Sequence, residues 1–143
     1  MCGILVLLQN KHRNMKTDAQ LQNDDPELFV VARKGGTEAP FSSDLLHADH
    51  EGVYHCAVCN SALFASDSKF DSGTGWASFT DPISKDAVKL IEDNSHGMHR
   101  TEVQCANCNS HLGHVFHDGP MGTDGKPKNR YCMNGVCLGL LEA

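Results

Sequence analysis

The chain has 143 residues, of which 40% are apolar and 21% are charged, and its thirteen glycines and five prolines favour a turn-rich β protein over a helical bundle. This length can bury one hydrophobic core but hardly two independent domains. Eighteen acidic and twelve basic side chains give a formal charge of −6. The sequence therefore lacks the excess of basic residues that binds a polyanion, and we expect no nucleic-acid partner.

The first 23 residues are predicted to be a flexible N-terminal extension, and residues 24–143 to form the folded domain. Within the extension, the apolar run at residues 2–8 is too short to span a bilayer. It also has no basic stretch before it and no small-residue cleavage site after it. We therefore expect no membrane or export signal and a cytoplasmic location.

One short helix is predicted near the start of the domain. Asp25 can cap its N-terminus, and Pro26 suits its first position. Leu28 begins an apolar face, and the pair Gly35-Gly36 would end the helix.

Beyond the helix, short β-prone segments alternate with turn residues. We predict antiparallel strands at residues 52–56, 61–65, 98–104, 111–116 and 130–140. Residues 82–93 are ambiguous between helix and strand, and the alternation of Val88 and Leu90 favours a strand. Residues 118–129, rich in glycine and proline, are predicted to be a mobile surface loop.

Four of the seven cysteines stand in two identically spaced pairs, Cys56 with Cys59 and Cys105 with Cys108. Four thiolates grouped in this way are the ligand set of a closed, structural zinc site. An asparagine and a serine follow each pair and permit the tight turn that such a site needs. Two redox-active or free thiol pairs are the alternative, but in a chain with an odd cysteine count we expect one structural zinc ion.

The other cysteines are Cys2, Cys132 and Cys137. In a regular strand, Arg130, Cys132 and Asn134 would point to one face, and Cys137 to the other. A guanidinium beside a thiol favours the thiolate, which is the nucleophilic form. On this pattern alone, Cys132 is equally well a nucleophile or a buried structural cysteine.

Short motifs along most of the chain occur together, in this order, in one family of proteins. They are Gly36-Thr37-Glu38, Pro40-Phe41, Gly52-Val53-Tyr54, Lys69-Phe70-Asp71-Ser72-Gly73, Gly75-Trp76, Ser78-Phe79, Ser95-His96-Gly97-Met98, Arg100-Thr101-Glu102-Val103, His111-Leu112-Gly113-His114-Val115-Phe116, Asp118-Gly119-Pro120 and Arg130-Tyr131-Cys132. Over roughly 110 residues, the chain therefore resembles the zinc-containing, R-epimer-specific methionine sulfoxide reductases, the peptide-methionine (R)-S-oxide reductase family.

The resemblance implies a mainly β fold, in which two small antiparallel sheets meet like a tent around the active site and zinc lies at the far end. It implies that residues 24–143 reduce methionine (R)-sulfoxide, free or in proteins, and so repair oxidative damage. Cys132 would be the nucleophile that attacks the sulfoxide sulfur and becomes a sulfenic acid, and Arg130 would stabilise its thiolate.

The resemblance also assigns the other site residues. His111 and His114 match the histidines that protonate the sulfoxide oxygen. Three positions apart, they point to opposite faces of a regular strand, so we predict a bulge or bend near Gly113. Trp76 would form the apolar wall that receives the substrate's methyl group. Phe79 would contact the substrate, although it could equally be a packing residue. Asn134 would orient the site.

The chain departs from the family pattern in the loop before the tryptophan. Thr74 stands where many relatives carry the resolving cysteine, and Ala77 replaces a common proline. The oxidised nucleophile would then be reduced directly by a thiol, by Cys2 or by Cys137, in that order of preference. We expect thioredoxin or glutaredoxin as the reductant and a monomeric protein.

Two rival functions remain open. A zinc-ribbon binding module would need only the two cysteine pairs and an exposed recognition surface. A thiol redox sensor would be oxidised at Cys132 without turnover, and the missing loop cysteine supports that reading.

Overall fold

The structure, a computed structural model, describes residues 15–47 and 51–142. Its helices are α1 (Asp18–Asp24) and α2 (Pro26–Lys34). Its strands are β1 (Gly52–Cys56), β2 (Ala62–Ala65), β3 (Lys69–Phe70), β4 (Ala77–Phe79), β5 (Val88–Asp93), β6 (Arg100–Cys105), β7 (His111–Phe116), β8 (Arg130–Met133) and β9 (Leu138–Glu142). Short 3₁₀ helices lie at Ser66–Ser68, Ser95–Gly97 and Gly135–Cys137.

The strands form two antiparallel sheets. The smaller sheet has the order β2-β1-β9, and the larger one has the order β3-β4-β8-β7-β6-β5. The predicted mainly β fold class, with two antiparallel sheets, a short N-terminal helix and a four-cysteine cluster, is confirmed.

Helix α2 begins and ends as predicted. The Asp25 carboxylate accepts a hydrogen bond from the Leu28 N–H at 3.3 Å, and Gly35 ends the helix with a left-handed φ of 70°. Leu28, Val31 and Ala32 are buried against the sheets. No helix in the described part of the chain has the length and apolar character to cross a membrane.

Helix α1 was not predicted, although it lies in the segment assigned to the flexible extension. Thr17 and Gln20 form a capping box at its N-terminus, and its Leu21 side chain is fully buried. The Lys16 N–H also donates to the Val58 carbonyl at 2.9 Å. These residues pack onto the domain, residues 1–14 lie outside the described structure, and the division of the chain at residue 23 stays a prediction.

The predicted strand at 130–140 is wrong as a single element. Strand β8 belongs to the larger sheet and β9 to the smaller one, and the turn Gly135–Cys137 separates them. At Asn134 the backbone N–H and the side-chain amide both donate to the Leu112 carbonyl, which ends the regular ladder. At Gly135 a Cβ would lie 1.9 Å from the Ser43 Oγ, so only glycine fits there.

Other elements follow the prediction in part. Strands β1 and β7 have the predicted bounds, and the ambiguous segment 82–93 is a strand from Val88 onward. The short strands β3 and β4 were missed. Within 118–129, predicted to be a mobile surface loop, Met121 and Pro127 form an isolated antiparallel bridge.

An aromatic cluster joins the two sheets. Phe64 of β2 stacks on Phe79 of β4 with ring centroids 4.4 Å apart. Tyr54 of β1 meets the same Phe79 ring edge-on at 5.0 Å. All three side chains are fully buried, so this cluster fixes the smaller sheet against the strands that carry the site.

Replacing Leu21 with alanine should lower the free energy of unfolding by about 2–5 kcal/mol, because it leaves a cavity under α1. Urea denaturation measures the change, with the exposed neighbour Gln22→Ala as the matched control. If Leu21→Ala unfolds at the wild-type urea concentration, α1 is not part of the cooperative unit.

Candidate active site

A β-bulge in β7 brings two histidines to one side of the larger sheet. Along β7, Leu112 is an extra residue between the positions that pair with β6 at His111 and Gly113. The bulge cancels the alternation of the strand, and the rings of His111 and His114 lie with centroids 5.4 Å apart. The predicted irregularity near Gly113 is confirmed.

The next strand places Cys132 opposite one of these histidines. Cys132 on β8 pairs directly with His114 on β7. A Cβ on Gly113 would lie 2.1 Å from the Cys132 carbonyl oxygen, so the two strands approach this closely only because residue 113 is glycine.

A cavity of about 270 Å³ opens over this pair of strands. Its lining includes Cys132, His114, Trp76, Asn134 and Arg130, which are five of the residues predicted to form the site. The structure therefore brings most of the predicted catalytic set to one concave surface, slightly smaller than a typical small-molecule site.

Two predicted residues lie outside that cavity lining. For Phe79, predicted either to contact the substrate or to pack in the core, the side chain belongs to the aromatic cluster of the core. His111 is 5% exposed and lies behind His114, with its Nδ1 2.6 Å from the Glu102 carboxylate. Its Nε2 is buried and has no hydrogen-bond partner among the described residues.

His114 is held by a carboxylate from β5. Its Nε2 lies 2.8 Å from Asp93 Oδ2, which also pairs with the Arg100 guanidinium at 3.6 Å. Burial lowers the pKa of His114, and the charge of Arg100 adds to this effect, while Asp93 opposes it. The lowered pKa favours a neutral imidazole at neutral pH.

The Cys132 thiol is less acidic than the sequence suggested. Burial raises its pKa, although the Thr74 hydroxyl and the Arg130 guanidinium act in the opposite direction. Arg130 is partly neutralised, because it makes hydrogen bonds of 2.8 and 3.3 Å to the Asp118 carboxylate. The guanidinium acts in the predicted direction, but the cost of burying a thiolate outweighs it.

A chain of hydroxyl groups ends at the Cys132 sulfur. The Thr74 Oγ1 lies 3.9 Å from Cys132 Sγ and 2.8 Å from the Ser72 hydroxyl. Ser72 in turn lies 2.7 Å from the hydroxyl of Ser78, which is nearly fully buried. The position of the missing family cysteine is thus in contact with the candidate nucleophile.

The four paired cysteines form a separate, buried cluster. Their sulfur atoms all lie within 4.8 Å of one another, with 3.7 Å between Cys56 and Cys108 and 3.6 Å between Cys59 and Cys105. A tetrahedral site with metal–sulfur bonds of about 2.3 Å has sulfur–sulfur edges of about 3.8 Å. The residues present therefore fit a four-thiolate metal site.

The turn after each pair has the predicted asparagine in the left-handed region, with φ of 64° at Asn60 and 61° at Asn109. The serine hydroxyls that follow lie 3.1 Å from a cysteine sulfur in each turn, Ser61 beside Cys59 and Ser110 beside Cys108. These hydroxyls can stabilise thiolate charge around a bound ion.

Comparison with known proteins gives the family. The SelR domain matches residues 25–142. The chain belongs to the SelR family. The chain is also 55% identical over 117 residues to the peptide methionine sulfoxide reductase MsrB of Methanosarcina mazei. The aligned region covers 82% of this chain and 81% of that protein.

Among solved structures, this SelR domain is similar to the crystal structure of the Mis18 "Yippee-like" domain. The TM-score is 0.50 at 18% sequence identity, over 65% of this chain and 97% of that one. At this identity the likeness concerns the fold alone.

Sequence reasoning missed two charged residues of the SelR site, Asp93 and Arg100. They pair across β5 and β6, and Arg100 also lines the cavity. The contact of Asp93 with His114 depends on the order of three strands in the larger sheet, which the sequence alone did not specify. The available signals were the place of Arg100 in a family motif and that of Asp93 at the end of a predicted strand.

Cys137 and Cys2 were the two cysteines predicted as alternative reductants of the oxidised Cys132. Cys137 is 1% exposed, and its thiol lies 3.4 Å from the His111 carbonyl, to which it donates. Burial strongly raises its pKa, which opposes reaction as a thiolate. Cys2 lies outside the described residues.

Replacing Cys105 with serine should abolish metal binding and lower the melting temperature by about 10 °C or more, because several kcal/mol of folding free energy normally depends on such a site. Elemental analysis and thermal denaturation measure both effects. Cys132→Ser, outside the cluster, is the control and should keep the metal. A Cys105→Ser protein that loses metal but melts at the wild-type temperature would contradict a structural role.

Proposed function

We propose that this SelR domain reduces methionine (R)-sulfoxide, free or in proteins, to methionine, with Cys132 as the nucleophile. The observation that carries the proposal is the placement of Cys132 opposite His114, in a cavity walled by Trp76. The name of the Methanosarcina mazei relative, a peptide methionine sulfoxide reductase, supports the same substrate.

In the proposed reaction, Cys132 Sγ attacks the sulfoxide sulfur while the sulfoxide oxygen is protonated. The oxygen atom is transferred in net terms to Cys132, so methionine leaves and the cysteine becomes a sulfenic acid. The methionine sulfur gains two electrons, and the cysteine sulfur loses them. Trp76 offers the substrate's methyl group an apolar wall, and Asn134 orients the site.

The raised pKa of Cys132 and the lowered pKa of His114 act together in this step. At neutral pH the pair holds one proton, chiefly on the thiol. As Sγ attacks, that proton is free to pass through the imidazole to the sulfoxide oxygen. His114 thus acts as the proton donor to the substrate, and His111 supports it from behind.

The sulfenic acid is returned to a thiol by two further thiols, which form a disulfide and release water. Thr74 supplies no such thiol, so we propose direct reduction by thioredoxin or glutaredoxin, with Cys2 as the next candidate. Burial makes Cys137 a poor candidate. We also propose a monomeric protein in a reducing, cytoplasmic compartment. In such a compartment thiolate ligands and a free nucleophilic thiol persist.

Zinc is the metal we propose for the four-cysteine cluster, because it favours closed tetrahedral thiolate sites. Cys56, Cys59, Cys105 and Cys108 would hold one ion per chain. With all four positions filled by sulfur, the ion would supply stability and no catalytic step.

Turnover of methionine sulfoxide with a dithiol reductant tests the proposed function. The wild type should consume the R epimer and spare the S epimer, and Cys132→Ser should have no activity while it keeps its metal. A zinc-ribbon module would show no turnover at all. A redox sensor would be oxidised stoichiometrically without releasing more than one equivalent of methionine.

Replacing His114 with asparagine should slow the single-turnover release of methionine by about a hundredfold, because an acid–base group is lost. His111→Asn should slow it less, since His111 acts through His114. In the wild type the rate should fall as pH rises through the raised pKa of Cys132, because the pair then loses the proton that it passes to the sulfoxide oxygen. Unchanged rates at neutral pH in His114→Asn would remove this residue from the mechanism.

Replacing Thr74 with cysteine should create a resolving thiol. The 3.9 Å contact between Thr74 Oγ1 and Cys132 Sγ means that a small movement of the loop suffices for a disulfide of about 2.05 Å. After one equivalent of sulfoxide, mass spectrometry should show this disulfide, and thioredoxin-driven turnover should increase. Thr74→Ser is the control. A persistent sulfenic acid in Thr74→Cys would contradict the assigned placement of the loop.

A further inference from the structure

Two consecutive residues, Thr37 and Glu38, line two different cavities. Thr37 lines the cavity that contains Cys132. The next residue, Glu38, lines a second cavity of about 360 Å³, together with Ser43 and Val136. The Glu38 side chain is only 5% exposed. A carboxylate buried this deeply is expensive unless it makes strong hydrogen bonds.

The Glu38 carboxylate is tied to the turn that follows β8. Its Oε1 accepts a hydrogen bond from the Val136 N–H at 2.8 Å. Its Oε2 is buried without a hydrogen-bond partner among the described residues. The Glu38 side chain therefore accepts one short hydrogen bond from the backbone of Val136, two positions after Asn134. This bond holds residues 36–38 against the turn that follows β8.

The backbone of Glu38 holds two residues of the active site. Its N–H donates to Asn134 Oδ1 at 2.9 Å, and its carbonyl accepts from the indole Nε1 of Trp76 at 3.0 Å. A single residue thus connects the buried amide of the site, the indole wall and the turn beyond β8.

The loop before Trp76 is hydrogen-bonded within itself through Ser72, but its own bonds do not reach the indole ring. Gly73 and Gly75 both have positive φ, 74° and 92°, and the following residue is Ala77. Besides the Trp76–Glu38 bond, the Gly75 carbonyl accepts from the Phe41 N–H at 2.7 Å. These two bonds come from Glu38 and from Phe41, three residues further along the chain, and the bond to Glu38 is the one that holds the indole ring itself.

We propose that Glu38 is a positioning residue, whose buried carboxylate fixes residues 36–38 and thereby sets the Trp76 indole and the Asn134 amide for substrate binding. The inference rests on the proposed function, since it assigns the indole to the substrate. The proposed role is preorganisation. Because the loop is already ordered before the substrate binds, less of the binding free energy is lost in ordering it, and the substrate binds more tightly. The chemical step at Cys132 is not changed directly.

Trp76 is the only tryptophan of the chain, so its fluorescence reports this site alone. Glu38→Ala should shift the emission maximum to longer wavelength and increase quenching by acrylamide in the folded, metal-loaded protein. It should raise KM for methionine sulfoxide about tenfold and change the saturated single-turnover rate less than about threefold. Glu38→Gln keeps an acceptor for Val136 and should restore both properties.

Glu27→Ala is the matched control, because Glu27 lines the same second cavity and is exposed. It should leave fluorescence and KM unchanged. If Glu38→Ala does not fold, Glu38→Asp, which retains the charge but withdraws it from Val136, should show the same changes to a smaller degree.

A lower melting temperature in Glu38→Ala, with wild-type fluorescence and KM, would overturn the proposal and leave Glu38 a merely structural residue. Failure of Glu38→Gln to restore either property would also overturn it. If the wild type shows no turnover, the proposed function fails, and the fluorescence still decides whether Glu38 orients Trp76: a shift in Glu38→Ala supports that role and its absence refutes it.

Discussion

One extra residue in β7 determines on which side of the larger sheet its two histidines lie. Without the bulge at Leu112, the alternation of the strand would place His111 and His114 on opposite faces of the sheet. The same residue supplies the carbonyl that receives both the backbone N–H and the side-chain amide of Asn134. The bulge therefore aligns the histidines, and it also ends β8 and starts the turn that leads to the smaller sheet.

The four-cysteine cluster joins the far ends of the two sheets. Cys56 ends β1 in the smaller sheet, and Cys105 ends β6 in the larger one. Helix α2 is tied to the same region, because the Arg33 guanidinium donates to the Cys108 carbonyl at 2.8 Å. A metal ion bound there would fix one end of the fold, while the aromatic cluster fixes the sheets nearer to the active site.

Local signals in the sequence were sufficient where one short segment decides the structure. Caps and glycines located α2, and the spacing of the histidines required the bulge that β7 contains. Local signals failed where contacts with residues distant in the sequence determine the structure. The strand at 130–140 breaks because of contacts with Leu112 and Ser43, and the burial of Phe79 follows from two other strands. Glu38 stands in one of the family motifs, but its role gave no signal, since its partners Trp76, Asn134 and Val136 lie 38, 96 and 98 residues away along the chain.

The burial of Cys132 has a consequence for selectivity. A free thiolate in water reacts readily with hydrogen peroxide and other small oxidants, whereas the protonated thiol reacts slowly. Because burial raises the pKa of Cys132, it further favours the protonated thiol in the empty cavity, which is a poorer target for small oxidants. In the proposed reaction, methionine sulfoxide takes up a proton as its sulfur is attacked, and so draws out the reactive form. A nucleophile protected in this way would survive in the same oxidising conditions that create its proposed substrate.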